Sequence, residues 1–346
     1  MNRIKIALVG CGRISKRHFE VIEELSDDLE LIAVCDIDEQ KALKAGKDNN
    51  AAVYTDYSKM LDETFPDIIS ICTPSGLHAR QGIMASKKGI DVIVEKPMAI
   101  SLKDADDLIK SCDSNNVKLY VIKQNRLNSS VQMLKKAVDK NRFGQLYFVN
   151  TTVFWQRPQS YYDLADWRGT WEFDGGSFMN QASHYIDLIS WLSGPVDYVM
   201  SVTGTLARDI EAEDTGAAVL KFRNGAIGVI QVTMLTYPKN LEGSITMIGE
   251  KGTVKIGGTA VNKIEEWEFE EYDDDDKLIQ QANYNPPNVY GYGHLGYYRQ
   301  VIKDLKQQSN TSIDGRAGRK SLELILAIYK SAKTGKRISL PLNYPI

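Results

Sequence analysis

The chain has 346 residues, 43% of them apolar and 25% charged, with a formal net charge of −3. That length allows two domains with separate cores, and the composition is that of an ordinary globular protein. The small negative charge gives no reason to expect nucleic acid or an anionic membrane as a partner, no apolar run has transmembrane length, and the three residues ahead of the first apolar run leave no room for a signal peptide.

In chain order, the first third alternates short β-branched runs with helical stretches. Strands are predicted at Ile4–Val9, Leu31–Asp36, Val53–Tyr54, Ile68–Thr73, Asp91–Glu95 and Leu119–Lys123. Between them lie helices ending near Leu25 and over Asp38–Lys47, Ser58–Glu63, His78–Lys88 and Leu102–Asn115. This order, with strands apolar on both faces, predicts an α/β Rossmann domain: a parallel sheet with helices on both faces and right-handed crossovers. After Lys123 one helix (Ser129–Lys140) leads into longer alternating strands at Leu146–Trp155, Tyr198–Ala207, Ala217–Phe222, Ile227–Thr236, Ser244–Gly249 and Gly252–Ile256. Asn224-Gly225 and Lys251-Gly252 signal hairpins. Helices over Gly293–Gln307 and Gly315–Thr334 close the chain. The second half therefore reads as an α+β domain with a largely antiparallel open sheet. The division is placed at residues 1–124 and 125–346, with no Ser- or Pro-rich linker. The acidic run Glu265–Lys277 reads as a solvated strand and loop rather than a cation site, because like charges repel and stay in water. Cys11, Cys35, Cys72 and Cys112 are widely spaced, three of them in or beside apolar runs, and read as buried free thiols of a reducing compartment; no metal is expected.

Gly10-Cys11-Gly12-Arg13-Ile14-Ser15 follows the first strand and opens the first helix, matching G-x-G-x-x-G/A except for Ser15. Gly10 permits the tight turn, and Gly12 lets a pyrophosphate approach a helix N-terminus, where free N–H groups and the helix dipole favour anions. Arg13 and Ile14 lie in the same loop. Asp36, at the end of the second strand, has the spacing of the carboxylate that binds the adenosine ribose, and no compensating Arg follows it, which favours NAD over NADP. Thr73 and Pro74 end the fourth strand on the edge where open parallel sheets hold ligands.

At Val94-Glu95-Lys96-Pro97 the chain resembles the glucose-fructose oxidoreductase / inositol dehydrogenase (Gfo/Idh/MocA) family, with Thr73-Pro74 and His78 upstream fitting the same pattern. The resemblance covers essentially the whole chain. It implies that Glu95, Lys96 and His78 lie at the cofactor and that a cis bond before Pro97 aims Lys96 into the cleft. A second family block runs from Gly175 to Asp187 and carries His184. Many relatives have Asp four residues before this His, on the same helix face; here it is Asn180, which can orient an imidazole but not stabilise its cation as a carboxylate would. Four longer stretches, Gly10–Lys16, Lys123–Asn128, Trp167–Gly176 and Leu235–Gly243, together resemble the UDP-N-acetyl-2-amino-2-deoxyglucuronate dehydrogenases. That resemblance implies oxidation of the sugar 3-hydroxyl on the route to diaminouronic acids of bacterial surface polysaccharide such as O-antigen, in the cytoplasm, by a homotetramer. In this family NADH can also stay bound and be recycled by a second oxidant such as 2-oxoglutarate.

Oxidising a secondary alcohol requires a hydride acceptor and a base for the hydroxyl proton. Lys96 and His184 are the candidate bases, both expected to contact the reacting hydroxyl, and the residues leave open which takes the proton. A UDP-linked uronate also carries a pyrophosphate and a carboxylate. Arg157, Arg168 and Lys239 could supply charge, Tyr161, Tyr162, Trp167 and Tyr237 could stack on uracil or sugar, and Asn125 and Arg126 follow the last Rossmann strand. Asp187 is read as stabilising its helix or orienting a neighbour, and His18 as structural. The alternatives are a dehydrogenase for another sugar, inositol or nucleotide sugar, and a non-catalytic NAD-binding regulator.

Overall fold

The computed structural model describes residues 3–285, 293–307 and 313–342. In chain order the strands and helices are β1 (Ile4–Val9), α1 (Ser15–Glu24), β2 (Leu29–Cys35), α2 (Glu39–Asn49), β3 (Ala52–Tyr54), α3 (Tyr57–Thr64), β4 (Ile68–Ile71), α4 (His78–Ser86), β5 (Asp91–Val94), α5 (Leu102–Ser114), β6 (Leu119–Val121) and α6 (Ser129–Asp139). They continue with β7 (Leu146–Phe154), α7 (Gln159–Tyr162), α8 (Ser183–Ser193), β8 (Val196–Gly204), β9 (Thr215–Phe222), β10 (Ile227–Thr233), β11 (Glu242–Gly249), β12 (Gly252–Gly257), β13 (Lys263–Phe269), α9 (Ile279–Ala282), α10 (Gly293–Gln307), α11 (Gly315–Thr334) and β14 (Ile338–Ser339). Two compact units form: residues 1–122 with 294–319, and residues 123–293 with 320–346.

The first unit holds a six-stranded sheet in the order β3-β2-β1-β4-β5-β6, parallel throughout. Ile6, Leu8, Val34, Ile69 and Val92 are fully buried, as strands covered on both faces require. Burial of each such side chain contributes about 1.5–3 kcal/mol. Side chains cap three of the crossover helices: Asp38 accepts from Gln40 N and Lys41 N, Asp56 from Lys59 N, and Ser101 from Asp104 N. Helix α1, which follows the Gly-rich loop, starts without a side-chain cap. Residues 294–319 enter this unit late: Val121 N donates to Ile313 O at 2.9 Å, and Tyr120 Oη donates to Asp304 Oδ2 at 2.6 Å.

The second unit holds an eight-stranded sheet in the order β13-β12-β11-β7-β10-β9-β8-β14. Its neighbours are antiparallel except the central pair β7–β10, which is parallel. Both hairpin signals hold: Gly225 turns β9 into β10 with φ +94°, and Lys251-Gly252 joins β11 to β12. One face is core, with Val149, Val153, Leu220, Ile230, Val232 and Met247 all buried. The other carries Met200, Val202, Val219, Ile227 and Ile248, all exposed. The acidic run is tied down by intramolecular pairs: Lys140 Nζ reaches Asp273 and Asp275, and Arg142 reaches Asp276 at 2.6 Å. Cys35, Cys72 and Cys112 are buried free thiols, whereas Cys11 is only part-buried, a departure from the expectation that follows from its place in an open loop. Among the described residues no helix is long and apolar enough to cross a membrane.

Candidate functional site

In the first unit the Gly-rich loop is built by two constraints. Gly10 has φ +91°, and a Cβ there would come within 2.7 Å of the Cys72 and Thr73 backbone, so only glycine fits between β1 and the end of β4. A Cβ on Gly12 would meet no protein atom within 4 Å. Ser15, fully buried, donates to Gly12 O at 2.7 Å, which is the close helix–strand packing its small size allows. Arg13 is exposed and Ile14 half-buried beside it. Asp36 shapes the same loop, accepting from Cys11 N at 2.7 Å and from Asp38 N at 2.9 Å. The open space over Gly12 and the uncapped start of α1 fit a pyrophosphate, and Gly12 supplies a clean test. Gly12→Val is expected to leave the thermal unfolding midpoint unchanged while weakening NADH binding at least tenfold in a fluorescence titration, because the added side chain meets only ligand.

At the edge formed by β4 and β5, Thr73 Oγ1 donates to Gln81 Oε1 at 2.6 Å, and Pro74 is half-buried beside it. The Lys96–Pro97 bond is cis, as the family resemblance implies. Lys96 is half-buried. His78 and Glu95, expected at the cofactor, are both buried. His78 is buried with Nδ1 2.8 Å from Pro97 O and Nε2 2.8 Å from Thr73 O, bracing the two loops against each other. Burial holds its pKa below the ordinary imidazole value against the pull of those carbonyls. Glu95 is buried with Oε1 3.1 Å from His18 Nε2, while Oε2 accepts from Lys96 N at 3.0 Å. Burial opposes its charge, yet His18 and His294 hold it well below the usual carboxylate range. His18, Glu95 and His294 bring three potential metal-ligating atoms within 4.8 Å of one another, a grouping that local sequence does not disclose because His294 is distant along the chain. Both ring nitrogens of His18 are hydrogen-bonded.

In the second unit His184 lies in the first turn of α8, buried, with its Nε2 3.0 Å from Gln124 Nε2. The Gln124 side-chain amide is thus a hydrogen-bond partner of this ring nitrogen. Gln124 was not singled out from the sequence; only its place just after the last Rossmann strand could have flagged it. Asn180 is not on the His184 helix, as the spacing suggested, but in the turn before it, where its amide donates to Asp174 Oδ1. Asp174, also missed, is buried and accepts from Gly169 N at 2.8 Å.

Arg126 is held by a carboxylate of its own unit. It is buried, makes a two-pronged pair with Asp187 (Nε–Oδ2 and Nη2–Oδ1, both 2.7 Å), and lies over Trp191 at 5.0 Å. Lys123 Nζ adds a second cation 3.2 Å from Asp187 Oδ1 and donates to Ser321 Oγ at 2.5 Å. Burial opposes the Asp187 charge, but Lys123 and Arg126 hold its pKa below the usual carboxylate range. Asn125 is buried with no hydrogen-bond partner for Oδ1 among the described residues.

The remaining candidates form an aromatic–cationic cluster. The Arg168 guanidinium lies 4.6 Å from the Tyr161 ring and 4.5 Å from the Trp167 ring, and donates to Tyr161 Oη at 2.9 Å. Arg157 lies 5.1 Å from Trp155 and 5.4 Å from Tyr161 and donates to Gln156 O. Such stacking holds the charges in place while leaving their edges to bind anions. Tyr162 is buried core, whereas Tyr237 and Lys239 are exposed on the loop after β10.

The paired glycines 175 and 176 have a physical reason the sequence did not disclose. A Cβ on Gly176 would fall 1.7 Å from Glu213 Oε2. Glu213 is buried; its Oε1 accepts from Phe178 N at 2.9 Å, Tyr329 Oη at 3.0 Å and Ser177 Oγ at 3.2 Å, and its Oε2 has no partner among the described residues. Burial pushes this carboxyl from 4.5 up to about 7. An acid with a raised folded pKa holds an extra proton in the native state. Its contribution is fully present below about 4.5 and is lost as pH rises through about 7, amounting to roughly 3 kcal/mol. Glu213→Gln cannot ionise, so its stability relative to the wild type is expected to rise by roughly that amount between pH 4.5 and pH 8 in urea unfolding; an equal difference at both pH values would show that Glu213 does not titrate in this range.

Residues 4–123 match the family model described as oxidoreductase family, NAD-binding Rossmann fold, and residues 135–340 match the oxidoreductase family, C-terminal alpha/beta domain. Among solved structures, the chain is 51% identical to the WlbA dehydrogenase of Bordetella pertussis in complex with NADH and UDP-GlcNAcA, with a TM-score of 0.97 over 99% of each chain. It is also 51% identical to the WlbA dehydrogenase of Chromobacterium violaceum with the same two ligands, with a TM-score of 0.95 over 99% of this chain and 98% of that one. Among curated proteins, D-apiose dehydrogenase of Paraburkholderia graminis is 24% identical, covering 98% of this chain and 90% of its own.

Proposed function

Because the chain belongs to this oxidoreductase family, matched in both its NAD-binding and its C-terminal domain, we propose that it oxidises the 3-hydroxyl of UDP-N-acetyl-2-amino-2-deoxy-D-glucuronate to the 3-keto sugar with NAD. The observation that carries this reading is 51% identity along 99% of the chain to enzymes whose structures hold NADH and UDP-GlcNAcA. Gly10, Gly12, Arg13, Ile14, Asp36, Thr73 and Pro74 are the residues that would hold NAD, which when bound supplies the hydride acceptor. Arg157, Arg168 and Lys239 are the cations for the pyrophosphate and uronate, with Asn125, Asn180 and Tyr237 as further substrate contacts.

The hydroxyl proton needs a base. The Gln124 amide already engages Nε2 of His184, which favours Lys96 as the base and His184 as the group that orients the hydroxyl. We assign the product to the synthesis of diaminouronic acids of bacterial surface polysaccharide, in the cytoplasm, with 2-oxoglutarate as the second oxidant that returns NADH to NAD. The apolar outer face of the second sheet, with Met200, Val202, Val219, Ile227 and Ile248, supports self-association, for which a homotetramer is our proposal.

The test is NADH absorbance with NAD and UDP-N-acetylglucosaminuronic acid, with and without 2-oxoglutarate, alongside direct detection of the oxidised sugar. UDP-N-acetylglucosamine and myo-inositol serve as controls. Oxidation of the uronate alone supports the reading, and oxidation appearing only with 2-oxoglutarate adds the recycling step. No oxidation in either condition removes this substrate.

A further inference from the structure

Glu95 poses a problem that the proposed chemistry does not use. It is a buried carboxylate directly before Lys96, and a buried charge is costly unless it is partnered. Its side-chain partners come from two other elements of the first unit, α1 and α10. His18, fully buried on α1, presents Nε2 to Glu95 Oε1 at 3.1 Å. The other His18 nitrogen, Nδ1, is 2.7 Å from Tyr298 Oη on α10 and 3.0 Å from Ser70 Oγ on β4. His294 packs edge-on against His18, with its Nε2 3.7 Å from Glu95 Oε1. The second Glu95 oxygen accepts the peptide N–H of Lys96 at 3.0 Å, which fixes the orientation of the 95–96 peptide. On the far side, His78 Nδ1 lies 2.8 Å from Pro97 O.

The backbone around Lys96 is thus held from both sides, at the 95–96 peptide by Glu95 and at Pro97 O by His78. A side chain meant to meet one hydroxyl must be held to within a fraction of an ångström, and backbone anchoring of this kind supplies that. We propose that His18, seated by Tyr298 and Ser70, is a positioning residue for Lys96 that acts through Glu95. This rests on the reading of Lys96 as a group at the reacting hydroxyl.

The sharpest test is a double-mutant cycle. His18→Leu removes the link to Glu95; it is expected to lower kcat about 10- to 100-fold with the KM for the uridine sugar and the affinity for NADH within about threefold. His18→Gln keeps a donor towards Glu95 and is expected to recover most of the loss. Tyr298→Phe, which removes one hydroxyl and keeps the packing, is the milder variant if His18→Leu folds poorly, with an expected three- to tenfold fall in kcat. In a Lys96→Met background the same changes are expected to cost nothing further, because a residue that acts only through Lys96 has nothing left to act on. Losses that multiply in that background, or a kcat per folded molecule unchanged while only the unfolding midpoint drops, would overturn the proposal. A crystal structure of His18→Leu separates it from the functional reading. A rotated 95–96 peptide supports the clamp whatever sugar the enzyme takes, and an unmoved Lys96 sinks it even if the uronate is the substrate.

Discussion

Lys96→Met is expected to lower kcat on the UDP-linked uronate by about 10²–10⁴-fold, the usual worth of a positioned general base, while NADH binds within a few-fold of the wild type. Methionine preserves the length and the apolar stem of lysine, so the packing beside the buried Pro97 and Met98 is kept and the loss reports the amine. The comparison that gives the result meaning is His184→Gln. A group that orients the hydroxyl rather than deprotonating it is expected to cost less in kcat and more in KM. Steady-state rates by NADH absorbance or sugar analysis, with NADH affinity by fluorescence, separate the two. Should Lys96→Met retain activity within about threefold of wild type, the base is His184, and the Gln124 contact then serves to hold its ring.

The second large effect concerns stability. Asp187→Ala leaves Lys123 and Arg126 buried, each under 10% exposed, without the carboxylate that both face. Removing one member of a buried ionic group costs about 3–5 kcal/mol, because the charges left behind are neither hydrated nor paired. A loss of this size is a large fraction of the stability of an ordinary domain. The variant is expected to unfold at markedly lower urea concentration or to accumulate insolubly, with the transition of the second unit moving first in hydrogen exchange. Asp187→Asn, which keeps an acceptor for Arg126 but not the charge, is expected to fall between the two. If Asp187→Ala unfolds with the wild type, the cations have found water or another acceptor.

The first unit was legible because its signals are local. Hydrophobic runs bounded by turn residues place each parallel strand within a residue or two: Ile4–Val9 is recovered to the residue, and the fingerprint follows it directly. Gly10 and Ser15 were readable because their roles depend on neighbours in sequence or on the adjacent strand end. What sequence did not disclose is what depends on distant partners. Arg126 could be placed just after the last Rossmann strand, but its pairing with Asp187, 61 residues on, could not be read from its neighbours. Glu213 carried no signal at all, although it is the reason Gly176 must be glycine. The parallel β7–β10 pair also escaped the alternation, since period-two patterning fixes which face a strand buries but not the direction of its neighbour.

The return of residues 294–319 to the first unit has a consequence for how the protein is made. On the ribosome the nascent N-terminal sheet emerges early but cannot be finished: the Tyr120 hydroxyl waits for Asp304, the Val121 amide for Ile313, and His18 for Tyr298. Vectorial synthesis therefore delivers the keystone of the first unit only after the intervening residues 123–293 have been made. A chain released at residue 122 would carry every strand of its sheet and still lack the pieces that lock it.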